Sequence, residues 1–309
     1  MKTLLLIDAN SVIHRSFHAL PPFTGPVGEP TGALYGVASI LLKLWKDEKP
    51  AYAAALFDRP EPTFRKKEYP EYKAQRPPAA DELISQIIEA RHLFEAFGIK
   101  TFEKPGFEAD DLIATLAEHF KNGPELQVVI LTGDRDTLQL IEGDKVVVRT
   151  FNKGVSDTTI YDEKAVIEKY GFAPSLMVDY KALVGDPSDN IKGVSGIGPK
   201  TATELIKKLG SIEDIFKAVS NDPKLATRLG GKEHEAEFSK KLVILVRNVP
   251  LGLSGIAELS VSDKTSAVEE YFKKRGFATL LKRFEKGSDL SRDVKKKKEK
   301  PPSRQQSMF

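Results

Sequence analysis

Acidic residues follow three short apolar runs of the sequence, at the points where buried strands would end. The runs span residues 3–7, 52–57 and 128–131, and the acids that follow them are Asp8, Asp58, Asp134 and Asp136. The carboxyl ends of parallel strands meet at one edge of an open sheet, where sites commonly form. We therefore expect three strands to bring these four carboxylates to the same edge.

A second acidic group lies at the start of a predicted helix over about residues 107–121. Glu108 and Asp111 are three residues apart and share a face of that helix, whereas Asp110 points about 100° away. Acids near a helix N-terminus also favour the helix dipole. Capping would explain one or two of these three acids, and a ligand role would explain the rest.

A third acidic group lies in the segment Gly185-Asp-Pro-Ser-Asp-Asn190, which on its own is typical of a turn. Together the three groups supply up to nine carboxylates, of which one or two could be ordinary surface acids: Asp8, Asp58, Glu108, Asp110, Asp111, Asp134, Asp136, Asp186 and Asp189. So many like charges need cations, and oxygen ligands favour Mg²⁺ or Mn²⁺. Two such ions can hydrolyse a phosphodiester.

Composition narrows the chemistry further. The chain has 309 residues and no cysteine, which excludes disulfides, thiolate zinc sites, iron–sulfur clusters and a cysteine nucleophile. No apolar run reaches the ~18–20 residues of a membrane span. The net charge is only +3, and residues 287–309 hold seven basic and three acidic residues. We expect this basic tail to be disordered, so nucleic-acid binding by the folded part must use local patches.

The elements that would position these acids alternate along the first half of the chain. Helical patterns near residues 32–46, 81–97 and 107–121 separate the apolar runs, and a fourth run covers residues 146–148. This alternation predicts an α/β domain over residues 1–170, with a mostly parallel central sheet flanked by helices. In the 81–97 helix, one face is predicted to carry Leu83, Ile84, Ile87, Ile88 and Leu93. Residues 171–286 are predicted to form a mainly helical region.

Basic and aromatic residues alternate in the proline-rich segment 59–80, between the second strand and the 81–97 helix. They are Phe64, Arg65, Lys66, Lys67, Tyr69, Tyr72, Lys73 and Arg76. A solvated loop would show this composition. So would a contact with single-stranded nucleic acid, in which cations meet phosphates and rings meet bases.

A glycine hairpin precedes a predicted helix near residue 200. Gly193, Gly196 and Gly198 would let backbone N–H groups approach a phosphate at the helix start, with Lys200 nearby. No strand precedes these glycines, which argues against a dinucleotide-binding loop. The pattern favours a helix–hairpin–helix element at about residues 185–209 that holds a duplex backbone without reading sequence. A plain packing loop remains the alternative.

Seven of these motifs occur in the order found in one known family. Over about residues 3–285 the chain resembles the 5′→3′ exonuclease domain of bacterial DNA polymerase I, a member of the flap endonuclease family. The motifs are Asp8-Ala-Asn, Phe57-Asp58, Tyr72-Lys-Ala-Gln-Arg76-Pro, Glu108-Ala-Asp-Asp111, Thr132-Gly-Asp-Arg-Asp136, Gly185-Asp-Pro-Ser-Asp-Asn190 and Gly193-Val-Ser-Gly-Ile-Gly-Pro-Lys-Thr-Ala202.

The resemblance implies a PIN-like 5′ nuclease core with a helical arch at about residues 60–97. Asp8, Asp58, Glu108, Asp110 and Asp111 would hold a first Mg²⁺, for which Mn²⁺ can substitute. Asp134, Asp136, Asp186 and Asp189 would serve a second ion. Lys73 and Arg76 would reach the scissile phosphate. The hairpin, with Lys200 and Thr201, would grip the downstream duplex beside a K⁺ ion. Phe64, Arg65, Tyr69 and Tyr72 are further expected DNA contacts.

The resemblance also implies partners and a setting. We expect a monomeric cytoplasmic, nucleoid-associated bacterial enzyme that acts on DNA with 5′ flaps, nicks or gaps and on RNA primers, with a DNA polymerase in cis or in trans. The peptide Gln305–Phe309 is similar to sequences that dock on sliding clamps. The rival interpretations are a PIN-type ribonuclease, which usually lacks the hairpin and arch, a DNA-binding scaffold with a degenerate site, and a phosphatase with an aspartate nucleophile.

Overall fold

A six-stranded sheet forms the centre of the computed structural model, which describes residues 1–155, 157–262 and 264–286. The strand order is β3-β2-β1-β4-β5-β6, with all neighbours parallel except the antiparallel pair β5–β6. The strands are β1 (Lys2–Asp8), β2 (Tyr52–Leu56), β3 (Lys100–Phe102), β4 (Leu126–Thr132), β5 (Val146–Phe151) and β6 (Thr158–Tyr161). The predicted α/β class is confirmed. The predicted basic tail and the Gln305–Phe309 peptide lie outside the described residues.

Among the described residues, six helices accompany the sheet in the first half of the chain, and seven more follow. The first set is α1 (Ala9–Ala19), α2 (Gly32–Asp47), α3 (Phe64–Glu68), α4 (Asp81–Ala96), α5 (Ala109–Phe120) and α6 (Glu163–Tyr170). The second set is α7 (Met177–Val184), α8 (Pro199–Leu209), α9 (Ile212–Val219), α10 (Pro223–Leu229), α11 (Glu233–Val243) and α12 (Thr265–Lys274). Residues 278–286 are also helical. No helix in the described part of the chain is long and apolar enough to cross a bilayer.

Alternate side chains of the central strands point to opposite faces of the sheet and build two cores. Leu5 and Ile7 of β1 pack in one core with residues of α1, α2, α4 and α12. Leu4 and Leu6 pack in the other core with α5 and with helices from α7 to α11. Because strands β1, β2 and β4 are buried on both faces, they are apolar along nearly their whole length, which is why their positions could be predicted.

The face predicted for the 81–97 helix is wrong in part. Leu83 and Leu93 are buried, but Ile84 and Ile88 are 44% and 59% exposed. The buried side instead contains Gln86, whose amide oxygen accepts a hydrogen bond from the Ala33 N–H at 2.8 Å. A polar side chain faces inward there because it satisfies an N–H group in the first turn of α2.

The extent of the predicted arch also differs from the structure. Helix α4 connects β2 to β3 and packs against α1, α2 and α12, so it belongs to the layer that covers the sheet. In residues 60–80 the only helix is the short α3. We therefore use the name gateway segment for residues 59–80 alone.

The last helices return to the first core. The helical region predicted over residues 171–286 does not pack as one unit, because Phe272, Phe277 and Leu280 lie in the core that contains α2 and α4. The apolar pattern of α12 predicted a helix but carried no information about which core it would join.

Candidate active site

Four aspartates meet at the carboxyl edge of the sheet and are called the sheet-edge cluster: Asp8, Asp58, Asp110 and Asp134. Asp8 ends β1 and caps α1, accepting hydrogen bonds from the Ser11 N–H at 3.0 Å and the Thr132 hydroxyl at 2.7 Å. Asp58 follows β2 and accepts from the Ala109 N–H at 2.7 Å, at the start of α5. These bonds hold the carboxylates where strand ends and helix starts meet.

The cluster concentrates negative charge at one edge of the sheet, where Asp8 is buried, Asp110 and Asp134 are half-buried and Asp58 is exposed. Burial, followed by the charge of Asp58, raises the pKa of Asp8 to about 7. Burial also raises the pKa of Asp58 and, together with the charges of Asp8 and Asp134, raises that of Asp110 well above its ordinary value. The Oδ1 atom of Asp110 is buried and accepts no hydrogen bond within the described part of the chain. This arrangement is unfavourable unless cations approach it.

The donor set fits a small divalent cation. All four side chains offer oxygen atoms, and the unpartnered Asp110 oxygen is free to bind an ion. Among the residues that the structure describes, no three His, Asp or Glu side chains form a ready-made metal cage. Mg²⁺ usually binds through one or two carboxylates and keeps several waters, so an open cluster of this kind suits it.

The raised pKa values predict how the metal-free protein responds to pH. A carboxyl whose folded pKa is raised stabilises the fold below its unfolded pKa of 3.8, and this contribution is lost as the pH rises through about 7. We expect the free energy of unfolding in EDTA to fall over this window, by up to about 1.4 kcal/mol per pH unit from Asp8. Urea denaturation at stepped pH measures it.

Asp8→Asn is the matched comparison for this pH dependence. The substitution removes one titrating carboxyl but keeps an oxygen that can cap α1, so the fall in stability should be shallower than in the wild type. Mg²⁺ should also reduce the fall. If the free energy of unfolding fell with pH equally in the wild type and in Asp8→Asn, the raised pKa of Asp8 would be contradicted.

The remaining predicted ligands for a second ion carry their own counter-ions. Lys181 of α7 donates hydrogen bonds to Asp186 Oδ2 at 2.8 Å and to Asp136 Oδ1. Asp189 accepts from Arg76 at 2.6 Å and from the Tyr72 hydroxyl at 3.0 Å. We call Asp136, Asp186 and Asp189 the paired acids.

Asp111 contradicts its predicted role as a metal ligand. Its carboxylate is fully buried and receives two hydrogen bonds from the Arg65 guanidinium, at 2.7 and 2.8 Å. It also accepts from the backbone N–H groups of Glu108 and Val246, at 3.1 and 2.9 Å. With all these donors in place, the side chain is structural, and the capping interpretation is correct for this residue.

Arg65 is correspondingly wrong as a predicted DNA contact. Its side chain is only 1% exposed, and its remaining N–H groups donate to the carbonyl oxygens of Leu242 and Ile244 at 2.8 Å. Arg65 therefore joins α3, α5 and the end of α11. The sequence offered no signal for this, since its partners are 46 to 179 positions away.

Glu108 serves the gateway segment rather than standing free for a metal. Its Oε2 atom accepts from the Lys73 ammonium and from the Tyr72 hydroxyl, each at 3.0 Å. Burial alone would lower the pKa of Lys73, but the carboxylates of Glu108 and Asp189 outweigh burial and raise it. The Lys73 side chain is thus held charged beside the sheet-edge cluster, with 27% of its surface exposed.

The predicted aromatic DNA contacts differ in accessibility. Tyr72 is only 3% exposed, so the expectation that it stacks on a base is wrong; its hydroxyl is used in holding two carboxylates. Tyr69 is half-buried and packs edge-on against Phe238, with ring centroids 5.5 Å apart. Phe64 is half-buried next to Phe107. Arg76, by contrast, has 49% of its side chain exposed.

A set of hydrogen bonds joins the gateway segment to the loop that carries the paired acids. The Lys73 N–H donates to the Asp189 carbonyl at 3.0 Å. The Gln75 and Asn190 side-chain amides donate to the Pro187 and Glu71 carbonyls, each at 2.9 Å. Sequence reasoning missed these two amides, although they lie inside motifs it identified. They fix Lys73 and Arg76 relative to Asp189.

The glycine hairpin contains glycines of two kinds. Gly193 is buried with φ +68°, and a Cβ there would lie 2.3 Å from the Gly185 backbone nitrogen, so its predicted DNA contact is wrong and it serves close packing. Gly196 and Gly198 are exposed, with open space beside them. Gly198 directly precedes α8, whose first turn contains the exposed Lys200 and the half-buried Thr201. Backbone N–H groups at this helix start are available to an anion.

Neighbouring residues of α11 hold the hairpin in shape. The Ser195 N–H donates to Glu235, and the Ser195 carbonyl accepts from the Lys232 ammonium, each at 2.8 Å. The Lys232 ammonium therefore already lies at one carbonyl oxygen of the hairpin.

Comparisons with known proteins identify the family of the chain. A family model described as the 5′-3′ exonuclease N-terminal resolvase-like domain matches residues 3–171, and one described as the 5′-3′ exonuclease C-terminal SAM fold matches residues 172–267. The chain therefore belongs to the 5′-3′ exonuclease family, and the resemblance found in the sequence is confirmed.

Individual relatives support the same assignment. A 5′-3′ exonuclease of Aquifex aeolicus is 41% identical over 82% of this chain and 85% of its own length. A DNA polymerase I of Caldicellulosiruptor bescii is 42% identical over 81% of this chain, which spans only 30% of that protein. The fold resembles bacteriophage T5 D15 flap endonuclease in complex with DNA and metal ions, with a TM-score of 0.61, 22% identity and coverage of 94% and 100% of the two chains.

Proposed function

We propose that this protein is a Mg²⁺-dependent 5′ nuclease that hydrolyses DNA phosphodiesters as a 5′→3′ exonuclease and at 5′ flaps, nicks and gaps, leaving 5′-phosphate and 3′-hydroxyl ends. The observation that carries the proposal is the sheet-edge cluster: four carboxylates beside the charged side chain of Lys73, with the pKa values of Asp8, Asp58 and Asp110 raised. The metal-containing complex of the related fold with DNA supports it.

In this proposal Asp8, Asp58, Asp110 and Asp134 would hold a first Mg²⁺, for which Mn²⁺ can substitute, and the paired acids would serve a second ion. Asp134, which the resemblance assigned to the second ion, is placed with the first because its charge acts on Asp8 and Asp110. When bound, the two ions would supply a water nucleophile and stabilise the leaving oxygen. Glu108 contributes by holding Lys73, and Asp111 by holding Arg65 and the first turn of α5.

The protein's own cations orient the substrate. Lys73 and Arg76 project from the gateway segment beside the carboxylates, where they would offset the negative charge of the scissile phosphate. The exposed hairpin glycines and Lys200 would hold the downstream duplex through its backbone. A K⁺ ion at the hairpin belongs to the same proposal, and it would share the Ser195 carbonyl region with Lys232.

The biological role that follows is removal of RNA primers and damaged 5′ ends, by a monomer working with a DNA polymerase. Relatives that continue into a polymerase favour a partner in cis or in trans. A sliding-clamp contact through Gln305–Phe309 is a separate part of the proposal, to be tested by binding of the peptide 300–309 to the clamp.

A cleavage assay with three substrates tests the proposed function. A 5′-flap duplex, a matched single strand and an RNA hairpin are each incubated with Mg²⁺ or with EDTA. We expect preferential cutting of the flap near its junction, only with Mg²⁺. Preferential cutting of the RNA hairpin would favour a PIN-type ribonuclease, and tight flap binding without cleavage would favour a non-catalytic scaffold.

A further inference from the structure

The two groups of acids differ in how their charge is balanced. In the described residues, no ammonium or guanidinium group lies within 4.0 Å of a sheet-edge carboxylate. The Lys181 ammonium, by contrast, contacts both Asp136 and Asp186. These two acids come from different parts of the fold, one following β4 and the other following α7. The Lys181 side chain therefore bridges two segments that were predicted to supply ligands for the second ion.

The bridge is held firmly in place. Lys181 and both carboxylates are only 13–15% exposed. The other oxygen of Asp186 accepts from the N–H and hydroxyl groups of Ser188, at 2.8 and 2.6 Å. Burial alone would raise the pKa of Asp186. The Lys181 charge and the hydrogen bonds outweigh burial and lower this pKa below its ordinary value, so the acid stays ionised. Asp186 thus has donors on both oxygens, one of them a cation.

We propose that Lys181 acts as a built-in competitor of the second divalent ion: its ammonium occupies oxygen atoms of Asp136 and Asp186, and the second ion binds only when Lys181 withdraws from them. This inference rests on the proposed function and adds an order to it. The first ion fills the sheet-edge cluster, whose carboxylates form no ion pair within 4.0 Å in the described residues, and the second binds more weakly because it must replace two charge-assisted hydrogen bonds.

Equilibrium binding of Mn²⁺ to the full chain without DNA tests the proposal, with free Mn²⁺ counted by electron paramagnetic resonance. We expect one tighter and one weaker ion in the wild type. Lys181→Met should tighten the weaker site on the order of 10- to 100-fold, the range seen when partners of metal ligands change, and leave the first site within about twofold. Lys181→Arg keeps the positive charge and should leave the weaker site weak.

Lys217→Met is the matched control, because Lys217 is 78% exposed and lies 3.7 Å from its partner Asp214 on α9. It should bind Mn²⁺ as the wild type does. Unchanged or weakened second-site binding in Lys181→Met would overturn the inference. A wild type that binds no Mn²⁺ at millimolar concentration would instead contradict the proposed function, so the two failures are distinguishable.

A measurement on the unmodified protein keeps the inference testable if Lys181→Met does not fold. Mg²⁺ is titrated while the ¹⁵N resonance of the Lys181 ammonium is followed, with the resonance assigned through Lys181→Arg. We expect the resonance to move during the second, weaker binding step. A resonance that stays unchanged at saturation, while two ions are bound, would show that Lys181 remains on its carboxylates and would overturn the inference.

Discussion

Replacing Asp110 with asparagine should reduce Mg²⁺-dependent flap cleavage by on the order of 10²–10³-fold or more, the scale seen when one preorganised electrostatic group of an active site is lost. Asp110 is the sheet-edge acid with a buried oxygen that accepts no hydrogen bond among the described residues, which is why we propose it as a metal ligand. Single-turnover cleavage of a 5′-flap duplex at saturating enzyme measures the change. Asp47→Asn, at an exposed acid near the end of α2, should leave the rate unchanged.

The same substitution should not weaken the fold. The charges of Asp8, Asp134 and Asp58 raise the pKa of Asp110, so a neutral side chain removes repulsion in the metal-free protein. We therefore expect a higher midpoint of urea denaturation for Asp110→Asn than for the wild type in EDTA at pH 8. A loss of both cleavage and stability would show that Asp110 is structural, and would contradict its assignment as a metal ligand.

Replacing Arg65 with methionine should lower the free energy of unfolding by about 3–5 kcal/mol, because the fully buried Asp111 carboxylate would lose its counter-ion. Two carbonyl oxygens near the end of α11 would also lose a donor. Urea denaturation at pH 8 measures the change. Arg59→Met is the control: its ion pairs with Glu61 and Glu103 are exposed to solvent, so its loss should change the free energy of unfolding far less than Arg65→Met does.

A double variant separates the ion pair from general packing. Arg65→Met combined with Asp111→Leu removes both charges, so part of the stability lost in Arg65→Met should return. The recovery should be incomplete, because the N–H groups of Glu108 and Val246 would then lack the Asp111 acceptor. A double variant less stable than Arg65→Met would indicate that shape, and not an unpaired charge, dominates at this position.

The strands that carry Asp8, Asp58 and Asp134 could be predicted because each is buried on both faces and reads as an apolar run. The short β3 and the partly exposed β6 lack that signal, and they were missed. The parallel arrangement then predicted where the acids would meet. The meeting itself is supported by Asp8, whose pKa is raised by burial and by the charges of Asp58 and Asp134.

The parts of the site that could not be predicted depend on pairing between distant positions. Asp110 and Asp111 are the same residue type and adjacent in the sequence. The Asp111 side chain nevertheless binds Arg65, whereas that of Asp110 lies near Asp8 and Asp58. Lys181 was not singled out, since a lysine within a helix is usually solvated. Its position opposite Asp136 follows only from how α7 packs near the end of β4.

The buried bond network of Arg65 has a consequence for how the family's two domains depend on each other. Asp111 and α5 belong to the first matched region, whereas Leu242, Ile244 and Val246 belong to the second. One apolar core also spans both, from Leu4 to Val249. The domain boundary is thus a division of the sequence and not of folding cooperativity. Because the two matched regions share this interior, we expect a fragment that ends near residue 171 to expose apolar surface and not to fold by itself.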